Sequence, residues 1–140
     1  MTTITLTEVE LPAPESFRDV FMDAERATIY ELAYYGRFAF LICAKSLSLP
    51  LGNHYHRGEV EIKKLEQVHV VAGNWRVVTQ PVDENGRPVG PRVEQQARAG
   101  QTVSIPALTW HAFYAETAGA MLMEFQVREE DYRCDIYRLP

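Results

Sequence analysis

Hydrophobic and polar positions alternate over short runs along most of this chain. Gly, Pro, Asn and Asp separate the runs, which occupy residues 37–44, 66–72, 75–79, 102–105, 112–114 and 121–127. A period of two residues indicates strands with one buried face, and the separating residues indicate turns. Many short strands joined by turns predict an all-β domain that forms a sandwich or a barrel.

The segment before these runs has a different pattern. Residues 16–32 carry the strongest helix-like signal, although Thr28 and Ile29 favour strands even there. We therefore expect residues 1–36 to form a helical or irregular arm that packs on a barrel. The barrel itself would comprise residues 37–140, so that the chain has one domain overall.

A polar segment in the middle of the chain predicts a hairpin. Asn85-Gly86 tolerates the positive φ that a tight hairpin turn requires. Pro88 and Pro91 cannot donate to a sheet from a central strand. Residues 83–91 are therefore predicted to be an exposed hairpin tip.

Length and composition narrow the class of protein. A chain of 140 residues with 46% hydrophobic and 24% charged residues is long enough for one globular core. The net charge of -5, with no dense Lys/Arg cluster, argues against nucleic acid as a partner. No apolar run approaches the roughly 20 residues of a membrane span. We expect a cytoplasmic protein whose two cysteines stay reduced.

His54 and His56 form the first candidate site. Side chains at i and i+2 of a strand share a face, with Cα atoms roughly 6.5–7 Å apart. The two imidazoles can therefore bind one ion, or they can be exposed or core histidines that bind none. Glu66 begins a strand whose other same-face residues are apolar, and His111 leads into a later strand. Three imidazoles and a carboxylate suit Zn, Fe, Mn, Ni or Cu, with positions left open for a substrate.

These residues resemble the two motifs of the cupin superfamily, whose members are small antiparallel jelly-roll β-barrels, also called double-stranded β-helices. The first motif has the pattern G-x5-H-x-H-x3,4-E-x6-G, whose places are taken by His54, His56, Glu66 and Gly73. The second has the pattern G-x5-P-x-G-x2-H-x3-N and is matched by Gly100, Pro106 and His111, with Leu108 at its central glycine. The resemblance implies a single-domain cupin barrel.

The resemblance also implies a metal site. Its ligands would be His54, His56, Glu66 and His111, and the metal a divalent transition ion such as Zn, Fe, Mn or Ni. Glu61 fits the motif's spacing from His56, whereas Glu66 fits its spacing to Gly73. We prefer Glu66, because spacing within a continuous strand is harder to change than the length of a hairpin tip. Residues 57–64 would then be an extended loop at the barrel mouth.

Short segments resemble cupins that act on nucleotide-linked sugars. They are Asp23-Ala24-Glu25-Arg26, Tyr30-Glu31-Leu32, residues 63–68, residues 52–56 and residues 135–139. This resemblance implies isomerisation or epimerisation of a keto sugar by proton transfer next to a carbonyl. His54 or His56 would be the base and Tyr55 or Tyr34 the partner acid, while a metal or cationic groups would stabilise the enediolate.

Two alternatives to this function remain open. The same metal site could serve a non-haem Fe(II) dioxygenase, or the barrel could bind a small molecule without catalysis. His69 is out of phase with Glu66 and is expected to point away from the site, and alternation predicts interior packing for Met121, Met123 and Phe125. We also expect a homodimer, with residues 2–12 contributing a strand to a neighbour.

Overall fold

The computed structural model describes residues 4–8, 16–23, 25–34, 37–126 and 134–140. Within them the chain forms eleven strands and one helical turn. The strands are β1 (Thr5–Glu8), β2 (Ser16–Asp23), β3 (Ala27–Tyr34), β4 (Arg37–Ala44), β5 (Leu51–His54), β6 (Leu65–Ala72), β7 (Asn74–Pro81), β8 (Val93–Arg98), β9 (Gln101–Pro106), β10 (Thr109–Ala115) and β11 (Met121–Gln126). The helical turn α1 (Glu61–Lys64) joins β5 to β6. No helix in this part of the chain is long and apolar enough to cross a membrane.

The strands form two antiparallel sheets. The larger sheet has the order β1-β9-β6-β11-β4-β3-β2, and the smaller sheet has the order β5-β10-β7-β8. The chain passes repeatedly from one sheet to the other, as it does from β5 to β6 and from β6 to β7. Hydrogen bonds between the described strands do not close the two sheets into one continuous barrel. The predicted all-β, jelly-roll fold is confirmed.

The main core lies between the sheets. Alternate residues of β6, such as Val68 and Val70, meet Trp75 and Val77 of β7 and Phe113 of β10 there, and all five are at most 3% exposed. Full burial of an apolar side chain of this size contributes about 1.5–3 kcal/mol. The alternating pattern read from the sequence is thus what drives the two sheets together.

Every predicted strand run coincides with an observed strand, and the predicted hairpin tip joins β7 to β8. The polar pattern does not predict β8, because this edge strand of the smaller sheet buries only Ala97. Position 127, the last of the predicted runs, lies outside the described residues.

The prediction of a helix within residues 16–32 is wrong. β2 and β3 pair with each other from Ser16↔Ala33 to Asp23↔Ala27, and β3 also pairs with β4. Ala27 and Ile29 on β3 enter the main core, so tertiary pairing overrides a weak helix propensity. For the same reason the predicted boundary at residue 36 does not divide the structure, since β3 belongs to the sheet.

The N-terminal segment pairs within its own chain. β1 runs antiparallel to β9, from Thr5↔Ser104 to Glu8↔Gln101. The expectation that this segment adds a strand to a neighbour is therefore wrong for β1, and residues 2–3 and 9–12 lie outside the described part. The homodimer itself stays a prediction.

Candidate metal centre

A cavity of about 440 Å³ opens between the two sheets and is lined by residues of both. Its lining consists of Arg26, Ala27, Ile29, Ile42, Leu51, Gly52, His54, Lys63, Glu66, His111, Phe113, Leu122, Glu124, Ile136 and Arg138. Apolar side chains and charged or histidine side chains are equally numerous in this lining. The polar and charged ones are therefore the candidates for chemistry.

An irregularity in β5 sets the direction of His54. His111 of β10 pairs with His54, but the next residue, Ala112, pairs with Gly52, so Asn53 is an extra residue. Asn53 has a φ of 57°, and its side-chain oxygen accepts a hydrogen bond from Trp110 Nε1 at 3.1 Å. A bulge of this kind redirects the side chains beside it. Here it accompanies a His54 side chain that faces the cavity.

Three imidazoles converge in this site. The ring centroid of His54 lies 4.8 Å from that of His56 and 4.9 Å from that of His111. The ring centroids of His56 and His111 are 5.2 Å apart. One ligand nitrogen from each ring lies within 4.8 Å of the others. Two nitrogens on one tetrahedral zinc ion are separated by about 3.4 Å. Ring movements of about 1 Å would therefore be enough for the cluster to hold a metal ion.

Main-chain carbonyl groups orient two of these rings. His56 Nδ1 lies 2.7 Å from the carbonyl oxygen of Asp135, and His111 Nδ1 lies 3.0 Å from that of Thr109. Because a carbonyl oxygen only accepts, each Nδ1 carries the proton and donates it. His111 Nε2 is buried without a hydrogen-bond partner among the described residues, and the buried His56 Nε2 contacts the Glu66 carboxylate. With Nδ1 held by a carbonyl group, each ring directs its Nε2 into the cluster, which is the arrangement that a divalent metal requires.

Glu66 completes the cluster. Its Oε2 lies 2.5 Å from His56 Nε2, and its Oε1 lies 3.6 Å from His111 Nε2. Glu61, the other sequence candidate, belongs to α1 and is exposed, with its carboxylate 2.9 Å from Lys64 Nζ. The structure thus brings Glu66, and not Glu61, to the histidines. Residues 61–64 form a helical turn where the sequence predicted only an extended loop.

The charges of the cluster depend on burial and on Glu66. Burial, reinforced by the neighbouring His111, lowers the pKa of His54 to about 2, and burial also lowers the pKa of His111. For His56, burial is outweighed by the close contact with the Glu66 carboxylate, which raises its pKa. Burial likewise opposes ionisation of Glu66, but His56 and His111 hold its pKa well below the usual range. Two neutral imidazoles therefore stand beside an ion pair.

Lys63 and Glu124 are site residues that the sequence did not identify. Lys63 is 4% exposed, and its Nζ lies 3.7 Å from Glu66 Oε2. Glu124 also faces the cavity; burial, followed by the charge of Glu66, raises its pKa to about 8, so that it keeps its proton at pH 7. The available signal for Glu124 is a single acidic residue within the apolar run of β11. For Lys63 the sequence shows only an ordinary charged segment.

The two faces of β11 are reversed relative to the prediction. Leu122 and Glu124 line the cavity, whereas Met123 packs with Leu32 and Ala39 in a separate cluster. His69 points away from Glu66 as predicted. It is buried, with Nδ1 2.7 Å from Thr102 Oγ1.

Tyr55 does not reach the histidines, contrary to the prediction of a partner acid. Its ring is 2% exposed and packs in another cluster with Val78, Val82 and Trp110. The hydroxyl group donates to the carbonyl oxygen of Glu84 at 3.1 Å. The main chain turns Tyr55 away from the side on which its two histidine neighbours lie. The side chain of Tyr34 lies outside the described part of the chain.

Leu108 stands where the cupin pattern has glycine, and its φ is 58°. That left-handed conformation costs a residue with a Cβ atom about 1–2 kcal/mol. The Leu108 N–H donates to the carbonyl oxygen of His56 at 2.7 Å, and its own carbonyl accepts from Val82 N–H at 3.0 Å. The strained turn therefore holds the main chain of a site histidine.

Comparison with known proteins supports the same fold. No family model and no curated protein matches the chain. Among solved structures, the capsular polysaccharide assembling protein CapF from Staphylococcus aureus matches with a TM-score of 0.64 and 19% identity over 89% of this chain. This chain spans 32% of CapF.

Two smaller proteins also match. The QdtA 3,4-ketoisomerase from Thermoanaerobacterium thermosaccharolyticum, a double mutant in complex with TDP, has a TM-score of 0.56 and 16% identity, over 96% of this chain and 86% of its own. The WlaRB TDP-quinovose 3,4-ketoisomerase from Campylobacter jejuni has a TM-score of 0.51 and 16% identity, over 71% and 68%. These structures are cupins. The chain described here has the cupin fold, with a three-histidine cluster that could hold a metal.

Proposed function

We propose that this protein is a metal-binding cupin that isomerises or epimerises a keto sugar linked to a nucleotide. The observation that carries the proposal is the meeting of two kinds of groups in one cavity. The imidazoles and Glu66 suit a divalent metal, whereas Arg26 and Arg138 bring positive charge to the same lining. A nucleotide sugar offers a carbonyl oxygen to the first set and phosphate oxygens to the second.

The similar structures support this class of substrate. WlaRB is a TDP-quinovose 3,4-ketoisomerase, and QdtA is a 3,4-ketoisomerase bound to TDP. CapF is a capsular polysaccharide assembling protein. We take the nucleotide-linked keto sugar as the substrate because all three names concern carbohydrate or its nucleotide carrier.

The residues of the site divide the chemistry among them. A metal held by His54, His56, Glu66 and His111 would supply a Lewis acid that polarises the substrate carbonyl. The Lys63 ammonium group lies beside this cluster and stabilises the negative charge that develops on the carbonyl oxygen. Glu124 is the cavity carboxyl group outside the ligand set. Its ionised form, a minority at pH 7 because its pKa is raised to about 8, takes the proton from the carbon next to the carbonyl and returns it to the other carbon of the enediolate.

The histidines have a second role if the protein works without a metal. His54 or His56 is then the base, as the sequence predicts. His54 lines the cavity and is half-buried, but its pKa, lowered to about 2, makes it a weak base. His56 has a raised pKa and is 2% exposed, in contact with Glu66.

The test is exchange of a substrate proton with solvent. The protein is incubated in D₂O with a nucleoside diphosphate 4-keto-6-deoxy sugar, and proton NMR follows the signals next to the carbonyl. We expect exchange that depends on the protein and falls at least about a hundredfold in Glu124→Gln. Glu61→Gln is the matched control, because Glu61 is exposed on α1 and does not line the cavity.

The alternatives predict other outcomes. Oxygen consumption by an iron-loaded protein, with no proton exchange, would identify the dioxygenase. Tight binding of the sugar without exchange or turnover would identify a binding protein. Either result would contradict the proposed isomerase.

A further inference from the structure

The segment 134–140 crosses the rim of the cavity beside His56. Tyr137 and Tyr55 exchange two main-chain hydrogen bonds, with N···O distances of 2.9 and 3.0 Å. Ile136 and Arg138 line the cavity, whereas Asp135 points toward the loop that follows His56. One side of this segment therefore faces the cavity, and the other faces the loop that follows His56.

Asp135 makes an unusual number of contacts with this loop. Its Oδ1 accepts from the N–H of Arg57 at 2.7 Å, and its Oδ2 accepts from Gly58 at 2.9 Å and from Glu59 at 2.7 Å. Its main-chain carbonyl accepts from His56 Nδ1 at 2.7 Å. Asp135 is 9% exposed. One residue thus holds both the ring of a site histidine and the backbone of the three residues after it.

The conformation of Asp135 makes this double contact possible. Its φ is 56°, a left-handed value that Asp tolerates better than most residues with a Cβ atom. Charge-assisted hydrogen bonds to main-chain N–H groups are short and strong, so the carboxylate anchors the residue. The anchored residue then presents its carbonyl oxygen to His56.

We propose that Asp135 is the positioning residue of the metal centre: it holds His56 as the Nδ1–H tautomer and so directs Nε2 toward Glu66. This inference rests on the proposed metal site. The same anchor fixes the start of the segment that continues through α1 to Lys63 and Glu66. It is not a ligand itself, because its carboxylate is occupied by the loop.

The experiment reads the histidine tautomers of the metal-free protein directly. Long-range ¹⁵N–¹H NMR spectra are recorded at alkaline pH, where the imidazoles are neutral, and His56→Asn assigns the His56 signals by their loss. In the wild type we expect the Nδ1–H tautomer for His56. In Asp135→Asn we expect a mixture of tautomers for His56, while His111, held by Thr109, keeps its own.

A second readout is the binding of Co²⁺, followed by its visible absorption. Outer partners of metal ligands typically change metal affinity 10–100-fold, so we expect Asp135→Asn to bind at least about tenfold more weakly, with an altered spectrum. Asp83→Asn is the matched control. Asp83 also accepts main-chain N–H groups, from Asn85 and Arg87, but at the hairpin tip.

The outcomes separate this inference from the metal site. An Nε2–H tautomer for His56 in the wild type would overturn the inference, even if Co²⁺ binds. The inference would also be overturned if Asp135→Asn kept both the His56 tautomer and the Co²⁺ affinity of the wild type. If the wild type binds no Co²⁺, the metal site is wrong, and the tautomer shift in Asp135→Asn still decides whether Asp135 positions His56.

Discussion

His56 Nε2 lies 2.5 Å from Glu66 Oε2, and the opposite nitrogen of the same ring is held by the carbonyl of Asp135. The imidazole is thus fixed from both sides, by a residue 79 positions away along the chain and by a strand that begins after α1. In the metal-free protein this contact is an ion pair. His56 and Glu66 would both hold a bound metal, and its binding would release the proton that they share.

Replacement of Glu66 should remove the metal. Glu66→Gln keeps the size of the side chain but loses its negative charge, so metal affinity should fall at least tenfold, by analogy with the loss of other groups that support metal ligands. Elemental mass spectrometry after dialysis measures the bound metal. Glu61→Gln, on the exposed helical turn, should retain the wild-type content. Equal metal content in both variants would show that Glu66 is not a ligand.

Lys63 and Lys64 should differ sharply in their effect on turnover. Lys63 is buried beside Glu66, whereas Lys64 is exposed and paired with Glu61. Loss of one group that stabilises a developing oxyanion costs about 10²–10³ in rate, so Lys63→Met should lose that much activity and keep its metal. Lys64→Met should stay close to the wild type in the solvent-exchange assay. Comparable rates in the two variants would remove Lys63 from the mechanism.

His54 should make the metal-free protein sensitive to acid. Its pKa is lowered to about 2 in the folded state, against about 6.5 in the unfolded chain. The unfolded chain therefore binds the extra proton, and His54 reduces the free energy of unfolding as the pH falls below about 6.5, by at most about 1.4 kcal/mol per pH unit.

The measurement is urea unfolding with a chelator present, between about pH 6 and pH 5. His54→Gln should lose less stability over this interval than the wild type. His56 and Glu124 have raised pKa values and act in the opposite direction, but they do so in both proteins. Identical pH slopes would contradict the lowered pKa of His54.

Gly73 and Gly119 should respond differently to alanine. Both have positive φ values, 80° and 75°, so each substitution carries a backbone cost of about 1–2 kcal/mol. At Gly73 a Cβ atom would also lie 2.6 Å from Thr117 Oγ1 and 2.8 Å from Ala120 Cβ, whereas nothing lies within 4 Å at Gly119. Overpacking adds about 1–3 kcal/mol. Urea unfolding should therefore show Gly73→Ala to be the less stable variant, and equal losses would exclude the close packing.

The sequence determined most strands and the main ligand candidates. Alternation over β4, β6, β7, β9, β10 and β11 is a local property, because each strand buries one face against the opposite sheet. His54, His56 and His111 take places of the cupin motifs, and Glu66 keeps the motif's spacing to Gly73 but not its spacing from His56. These features could be read without knowing which strands are neighbours.

The tertiary structure decided the rest. β2 and β3 are strands because they pair with each other and with β4, and no local pattern contains that pairing. Tyr55 lies outside the site, and Lys63 and Glu124 lie within it, because packing against neighbouring elements sets the direction of a side chain. Asp135 reaches His56 only when residues distant in the sequence are brought together by the fold. Contacts of this kind depend on how the chain passes between the two sheets and on the register of strand pairing. The spacing of residues in the sequence does not specify either of these.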